Sequence, residues 1–80
     1  MLIAALPRED GSGICRVIGL DAVRVGGTVR VGLLLVDGPV TAQDAPARFF
    51  PSDTTEETLT VRLPDLRDAP YQQFELEVIE

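Results

Sequence analysis

The sequence of 80 residues contains no histidine, no lysine and no tryptophan, and it has a single cysteine, Cys15. One cysteine excludes an internal disulfide, and the missing histidine removes the commonest general base and the commonest metal ligand. A chain this short buries only about 60% of the surface of its unfolded state, so small domains often depend on disulfides, metals or association. Of these three, association with another chain is the one that the composition favours.

Positive charge is also scarce, because 13 acidic residues outnumber seven arginines and the net charge is −6. Phosphate backbones and anionic membrane surfaces repel such a chain, and one tyrosine with three phenylalanines offers no stacking platform for bases. No apolar run approaches the roughly 18 residues that cross a membrane. The first residues lack the basic segment of a signal peptide, and Pro7 interrupts them. We expect a virion or cytoplasmic protein that binds neither nucleic acid nor membrane and is not secreted through a signal peptide.

Short runs in which apolar and polar residues alternate, separated by turn residues, predict an all-β domain. In the clearest run, 58–63, Leu59, Val61 and Leu63 share the inward face, and the run 73–80 places Phe74, Leu76 and Val78 inward. We expect a single domain, 1–80, of six to seven short antiparallel strands that form a small sandwich or a partly open barrel. The other predicted strands are 2–6, 14–20, 23–25 and 28–36.

The segments "VRVGGTVRVGLLLVDG" and "LTVRLPDL" resemble the generic Ig-like or fibronectin-like pattern found in bacterial and phage proteins. This resemblance implies a β-sandwich and brings no catalytic residues with it. The chain lacks the two cysteines and the tryptophan of true immunoglobulin domains. Gly26-Gly27 between alternating runs is typical of a two-residue hairpin turn, and equally of a strand that bends between sheets.

The run 28–36 is apolar on both faces at its end, which raises the question of what covers the second face. Val29, Val31, Leu33 and Leu35 share one face of an unbroken strand, so Leu34 and Val36 fall on the other. Ile79 likewise falls on the outer face of the last strand. A long loop at about 37–57, containing Phe49 and Phe50, or another chain could cover them. Within this loop, the spacing of Asp53 and Glu56 fits the cap of one helical turn.

The polar residues do not form a recognisable catalytic motif. Cys15 lies in an apolar run, so we expect a buried, unreactive thiol. Glu75 and Glu77 stand about 6.5–7 Å apart on one strand face, a separation compatible with an inverting glycosidase. We instead expect them to face solvent, opposite Arg24, Arg30 and Arg62 if the strands of these arginines are neighbours. The acidic groups at 53–57 and 65–68 match no calcium loop. We therefore expect no enzyme, no cofactor, no metal and no small-molecule substrate.

The remaining interpretation is a non-enzymatic structural or interaction protein that binds protein partners or copies of itself. The sequence carries no tag or linker remnant, which we take to favour a subunit of a native particle such as a phage virion or tail. The alternative is a small acidic inhibitor, a phage counter-defence protein that mimics nucleic acid and binds a basic host protein through its carboxylates. The predicted partner-binding residues are Leu34, Val36, Arg48, Phe49, Phe50 and Ile79.

Overall fold

A computed structural model describes residues 1–67 and 74–79. Over these residues the chain contains no helix, and eight antiparallel strands form one sheet that curls into a half-barrel. The strand order across the sheet is β3-β4-β8-β7-β6-β1-β2-β5. The strands are β1 (Leu2–Pro7), β2 (Ile14–Gly19), β3 (Ala22–Val25), β4 (Thr28–Val31), β5 (Leu34–Val36), β6 (Gln43–Ser52), β7 (Thr55–Leu63) and β8 (Phe74–Ile79).

The predicted all-β, antiparallel architecture is confirmed, with eight strands instead of six or seven. All eight strands belong to one sheet, so the fold does not clearly match the two-sheet Ig-like sandwich. The half-barrel corresponds to the second form that the sequence predicted, the partly open barrel. Curvature lets a single sheet enclose its own core, and this removes the need for a second layer.

Gly26 and Gly27 form the turn of a tight hairpin between β3 and β4, where Val25 lies opposite Thr28. Gly26 has a φ of +61° and is the only one of the two with a positive φ. A positive φ at the first central position is the pattern of a type II′ turn, which suits the twist of antiparallel strands. The hairpin interpretation is therefore confirmed over the bent-strand alternative.

The same hairpin continues beyond β3 and β4 into β2 and β5 without a change of register. The Leu20 N–H donates to the Leu33 carbonyl at 2.8 Å, and the Gly32 N–H donates to the Asp21 carbonyl at 2.7 Å. A regular antiparallel ladder alternates bonded and non-bonded pairs, so hydrogen bonds at two adjacent pairs mark an irregularity. At this point the hairpin rotates about its long axis. One set of alternate residues lines the core in β3 and β4, and the other set lines it in β2 and β5.

This irregularity corrects the predicted single strand 28–36. The strand ends at Val31, Gly32 and Leu33 form a bend, and β5 begins at Leu34. Leu34 and Val36 therefore face the core from the same side as Val31, with exposures of 0% and 6%. The prediction that Leu34 and Val36 lie on a second, uncovered face is wrong, because the bend brings them onto the buried face.

The predicted long loop at 37–57 is also wrong, because it contains the ten-residue strand β6 and the start of β7. Pro46 lies inside β6 opposite Thr60. Strand β1 pairs with β6 only at residues 47–49, so Pro46 has a strand neighbour on one side, where a missing N–H is tolerated. Residues 53 and 54 form a turn between β6 and β7, and the helical turn predicted there is absent.

The concave side of the half-barrel holds the core. The predicted inward residues Leu59, Val61 and Leu63 of β7 are buried, as is Leu76 of β8. Phe74 and Val78 are half-buried and pack against this core. Leu66 closes one end through an isolated bridge to Val40, in which each backbone N–H donates to the other carbonyl at 2.8 Å. Gln73 and Glu80, the ends of the predicted last strand, lie outside the described residues.

Candidate binding surface on the outer face of the sheet

The structure does not bring the six predicted partner-binding residues together. Leu34, Val36 and Phe49 point into the core, and Phe49 is 3% exposed. Phe50 and Ile79 are half-buried, and Arg48 is exposed. Ile79 lies opposite Thr60 on the β7–β8 side of the sheet. Only Arg48 and Phe50 share the outer face of β6, because they alternate with the buried residues Ala47 and Phe49.

A different set of aliphatic residues lies on the outer face of β1, β2 and β5. Leu35 is opposite Ile18, Ile18 is opposite Ile3, and Ile3 is opposite Arg48. Opposite residues on one face of a sheet have Cβ atoms about 4.5–5.5 Å apart, so these side chains form a continuous row. We call the surface around this row the outer apolar patch; it consists of Met1, Ile3, Ile14, Ile18, Leu20 and Leu35.

The outer apolar patch contains most of the exposed large hydrophobic residues of the described chain. Six such residues are exposed, and four of them belong to the patch: Ile14 at 61%, Leu20 at 46%, Met1 at 41% and Leu35 at 38%. The other two, Val23 and Val25, lie on the edge strand β3. Single exposed aliphatic residues are ordinary, whereas several on one face indicate a contact surface.

The patch contains a groove of about 650 Å³ across β6, β1 and β2. Ala5 contributes to its floor, because this small side chain stands between larger neighbours. A smaller depression of about 210 Å³ continues the groove towards β7 and shares Ile3, Ala5 and Arg48 with it. The groove is lined by Ile3, Ala5, Gly13, Ile14, Arg16, Ile18 and Arg48.

Arg16 and Arg48 are the charged side chains of the groove. Neither guanidinium makes an ion pair or a side-chain hydrogen bond with the residues at 1–67 and 74–79. The carboxylate of Asp37 is close to β2, but it accepts a hydrogen bond from the backbone N–H of Arg16 at 2.7 Å and pairs with Arg8 at 3.4 Å. The groove therefore combines aliphatic surface with two guanidinium groups that form no ion pair within the described ranges, although the charge of Arg16 contributes to lowering the pKa of Asp37.

The other half of the outer face, on β4, β8 and β7, is covered by ion pairs. Arg30 contacts Glu75 at 3.2 Å, and Arg62 contacts Glu77 at 3.3 Å and Asp44 at 3.1 Å. The hydrogen bond that Arg62 donates to Asp44 and the charges of both carboxylates raise the pKa of Arg62. The predicted arrangement of glutamates is confirmed for Arg30 and Arg62, whereas Arg24 lies opposite the buried Val29 and pairs with Glu57. These carboxylates are arranged to satisfy neighbouring guanidinium groups and do not face each other across a cleft.

Cys15 is 2% exposed, and its Sγ lies 3.4 Å from the Gly38 carbonyl oxygen. Burial and the neighbouring Asp37 raise the pKa of the thiol, which favours the unreactive protonated form. The expected burial of Cys15 is thus confirmed. No group of three or more acidic or cysteine side chains within the described ranges is arranged to hold a metal ion.

Sequence reasoning missed the patch because it treated each strand as having one buried face. The signal was present in β1, where Leu2, Ala4 and Leu6 alternate with Ile3 and Ala5. The inner residues are buried, yet the outer ones are also apolar. The face of β2 was ambiguous in the sequence because Arg16 lies between Ile14 and Ile18, and the structure places all three outside.

Comparison with known proteins does not indicate what this surface binds. No helix in the described part of the chain is long and apolar enough to cross a membrane. No protein-family model, no curated protein and no solved structure matches the chain.

Proposed function

We propose that this domain is a non-enzymatic interaction module, a small subunit of a larger protein assembly, which docks on a protein partner through the outer apolar patch. The observation that carries the proposal is the gathering of Met1, Ile14, Leu20 and Leu35, all exposed, on one side of the sheet. The core does not need these side chains, because the half-barrel already encloses its own apolar residues.

The size of the patch indicates what kind of binding it can support. Removing the exposed parts of its aliphatic side chains from water contributes about 3–6 kcal/mol. Association of two proteins costs an estimated 4–15 kcal/mol in lost freedom. The patch alone therefore gives weak binding, and this suits a subunit that is held in place by several contacts or several copies.

Selection from a random-peptide display library on the immobilised domain tests the proposal. A double variant, Ile14→Ser with Leu35→Ser, removes two exposed aliphatic side chains from the patch. A matched variant, Val23→Ser with Val25→Ser, removes equally exposed aliphatic residues from β3. We expect enriched peptides to bind the wild type and the β3 variant and to lose at least tenfold in affinity on the patch variant. Peptides that bind all three proteins equally, or no enrichment, would contradict the proposal.

The proposed assembly is a phage virion or tail, with a virion or cytoplasmic location, as the sequence predicted. The acidic-inhibitor alternative has less structural support. Three of the carboxylates on which it depends, Glu57, Glu75 and Glu77, contact Arg24, Arg30 and Arg62. Paired carboxylates present less negative potential to a basic partner than free ones do.

A further inference from the structure

The two arginines of the groove restrict the chemistry of the partner, and this inference rests on the proposed function of the outer apolar patch. We propose that the groove binds an extended protein segment that presents one aliphatic side chain between two carboxylates. The aliphatic side chain lies over Ile3 and Ala5, and the carboxylates pair with Arg16 and Arg48.

The spacing follows from the strand register. Arg48 is opposite Ile3 and Arg16 is opposite Ala5, so the two arginines lie on either side of β1 and two residues apart along it. With strands about 4.8 Å apart and a rise of about 3.3 Å per residue, their Cα atoms are separated by about 12 Å. In an extended segment, residues i and i+4 are about 13 Å apart and share one face with residue i+2. An acidic residue at i and i+4 with a leucine or isoleucine at i+2 matches this spacing.

Charge argues for this partner over a second copy of the chain. Face-to-face contact between two copies would bring Arg16 and Arg48 of each copy together, and the groove is lined by no carboxylate. Like charges at such an interface oppose association. The net charge of −6 opposes an anionic lipid surface, which carries many charges and faces the whole domain, more than it opposes a segment with two carboxylates that contacts only the groove.

The probe is an acetylated and amidated heptapeptide of serines with aspartate at positions 2 and 6 and leucine at position 4. It is titrated into the ¹⁵N-labelled domain at low salt and followed by NMR, which detects millimolar binding. We expect amide shifts in β1 and β2, and at least fivefold weaker binding of a peptide with lysine at positions 2 and 6. Arg16→Gln with Arg48→Gln should weaken binding at least fivefold. The control variant, Arg30→Gln with Arg62→Gln, changes the net charge by the same amount and should leave the affinity for the aspartate peptide unchanged.

Five results would overturn this inference. The first is no shift with the aspartate peptide, and the second is equal binding of the aspartate and lysine peptides. The third is binding of the domain to phosphatidylserine vesicles that depends on Arg16 and Arg48, which would assign the groove to lipid. The fourth is a concentration-dependent dimer in sedimentation equilibrium that Ile14→Ser abolishes, which would assign it to a second copy. Display-selected peptides that need Ile14 but neither arginine would overturn the inference and leave the proposed function intact.

Discussion

Ile3 of β1 lies directly opposite Ile18 of β2 on the outer face of the sheet, while their neighbours Leu2 and Val17 are fully buried on the inner face. These two neighbouring strands thus carry aliphatic side chains on both faces, and only the inner face has a core to pack against. The outer face of these strands is therefore accessible to a partner.

A comparison of two adjacent leucines tests which residues of β5 face the core. Leu34 is 0% exposed and Leu35 is 38% exposed. Leu34→Ala should lower the free energy of unfolding by about 2–5 kcal/mol, since it leaves a cavity in the core. Leu35→Ala should cost less than about 1.5 kcal/mol. Urea denaturation measures both, and Leu34→Val keeps the experiment informative if Leu34→Ala does not fold. Equal costs at the two positions would contradict the bend at residues 32 and 33.

The hairpin turn is tested at its two glycines. Gly26→Ala should destabilise the domain by about 1 kcal/mol, because an L-residue is strained at positive φ. Gly27 lacks a positive φ, and a Cβ there would meet open space. Gly27→Ala is therefore the matched control and should change the free energy of unfolding by less than about 0.5 kcal/mol. The reverse order of the two effects in thermal denaturation would contradict the turn geometry.

The carboxylate of Asp37 makes the free energy of unfolding depend on pH. The N–H of Arg16 donates to its carboxylate, and this hydrogen bond, aided by the Cys15 thiol and by Arg8, lowers the pKa of Asp37. A lowered folded-state pKa stabilises the domain above the unfolded value of about 3.9, and this stabilisation is lost as pH falls through the folded value. Asp37→Asn should therefore lower the urea midpoint at pH 7 and have a smaller effect at pH 3.

Asp53 in the β6–β7 turn is exposed and provides the control for this experiment. Asp53→Asn should leave the urea midpoint nearly unchanged at both pH values. A midpoint for Asp37→Asn that equals the wild type at pH 7, or that falls further below it as the solution is acidified, would show that the carboxylate is not held by the Arg16 N–H.

The buried thiol gives a simple test of the native fold. Cys15 should react with a disulfide reagent at a rate limited by opening of the structure, because the thiol is buried and its pKa is raised. Under denaturing conditions the single cysteine should react fully within the mixing time. A fast reaction in native buffer would contradict the packing of β2 against Gly38.

The sequence was sufficient to predict strands wherever alternation was regular, as at Leu59, Val61 and Leu63. It failed where local rules compete. Three prolines between residues 37 and 57 indicated a loop, yet Pro46 is tolerated because one side of β6 is unpaired there. The inward position of Leu34 depends on a backbone irregularity at Gly32, which no periodicity reports.

The proposed binding surface overlaps only in part with the partner-binding residues expected from the sequence, for a related reason. Alternation identifies a buried face, but an apolar outer face looks like a second buried face until the strand order is known. Arg48 was predicted because it adjoins Phe49 and Phe50, and it lies at the outer apolar patch through its pairing with Ile3. The other groove residues come from β1, β2 and the turn between them, which only the fold brings beside β6.

The central claim is that partners bind at the outer apolar patch. Methyl NMR of the domain labelled at isoleucine and leucine, titrated with a display-selected peptide, tests it directly. We predict that the methyl signals of Ile3, Ile14, Ile18 and Leu35 shift together, while those of buried Leu63 and Leu76 do not. Shifts confined to Ile79 and the ion-paired half of the sheet would contradict the claim.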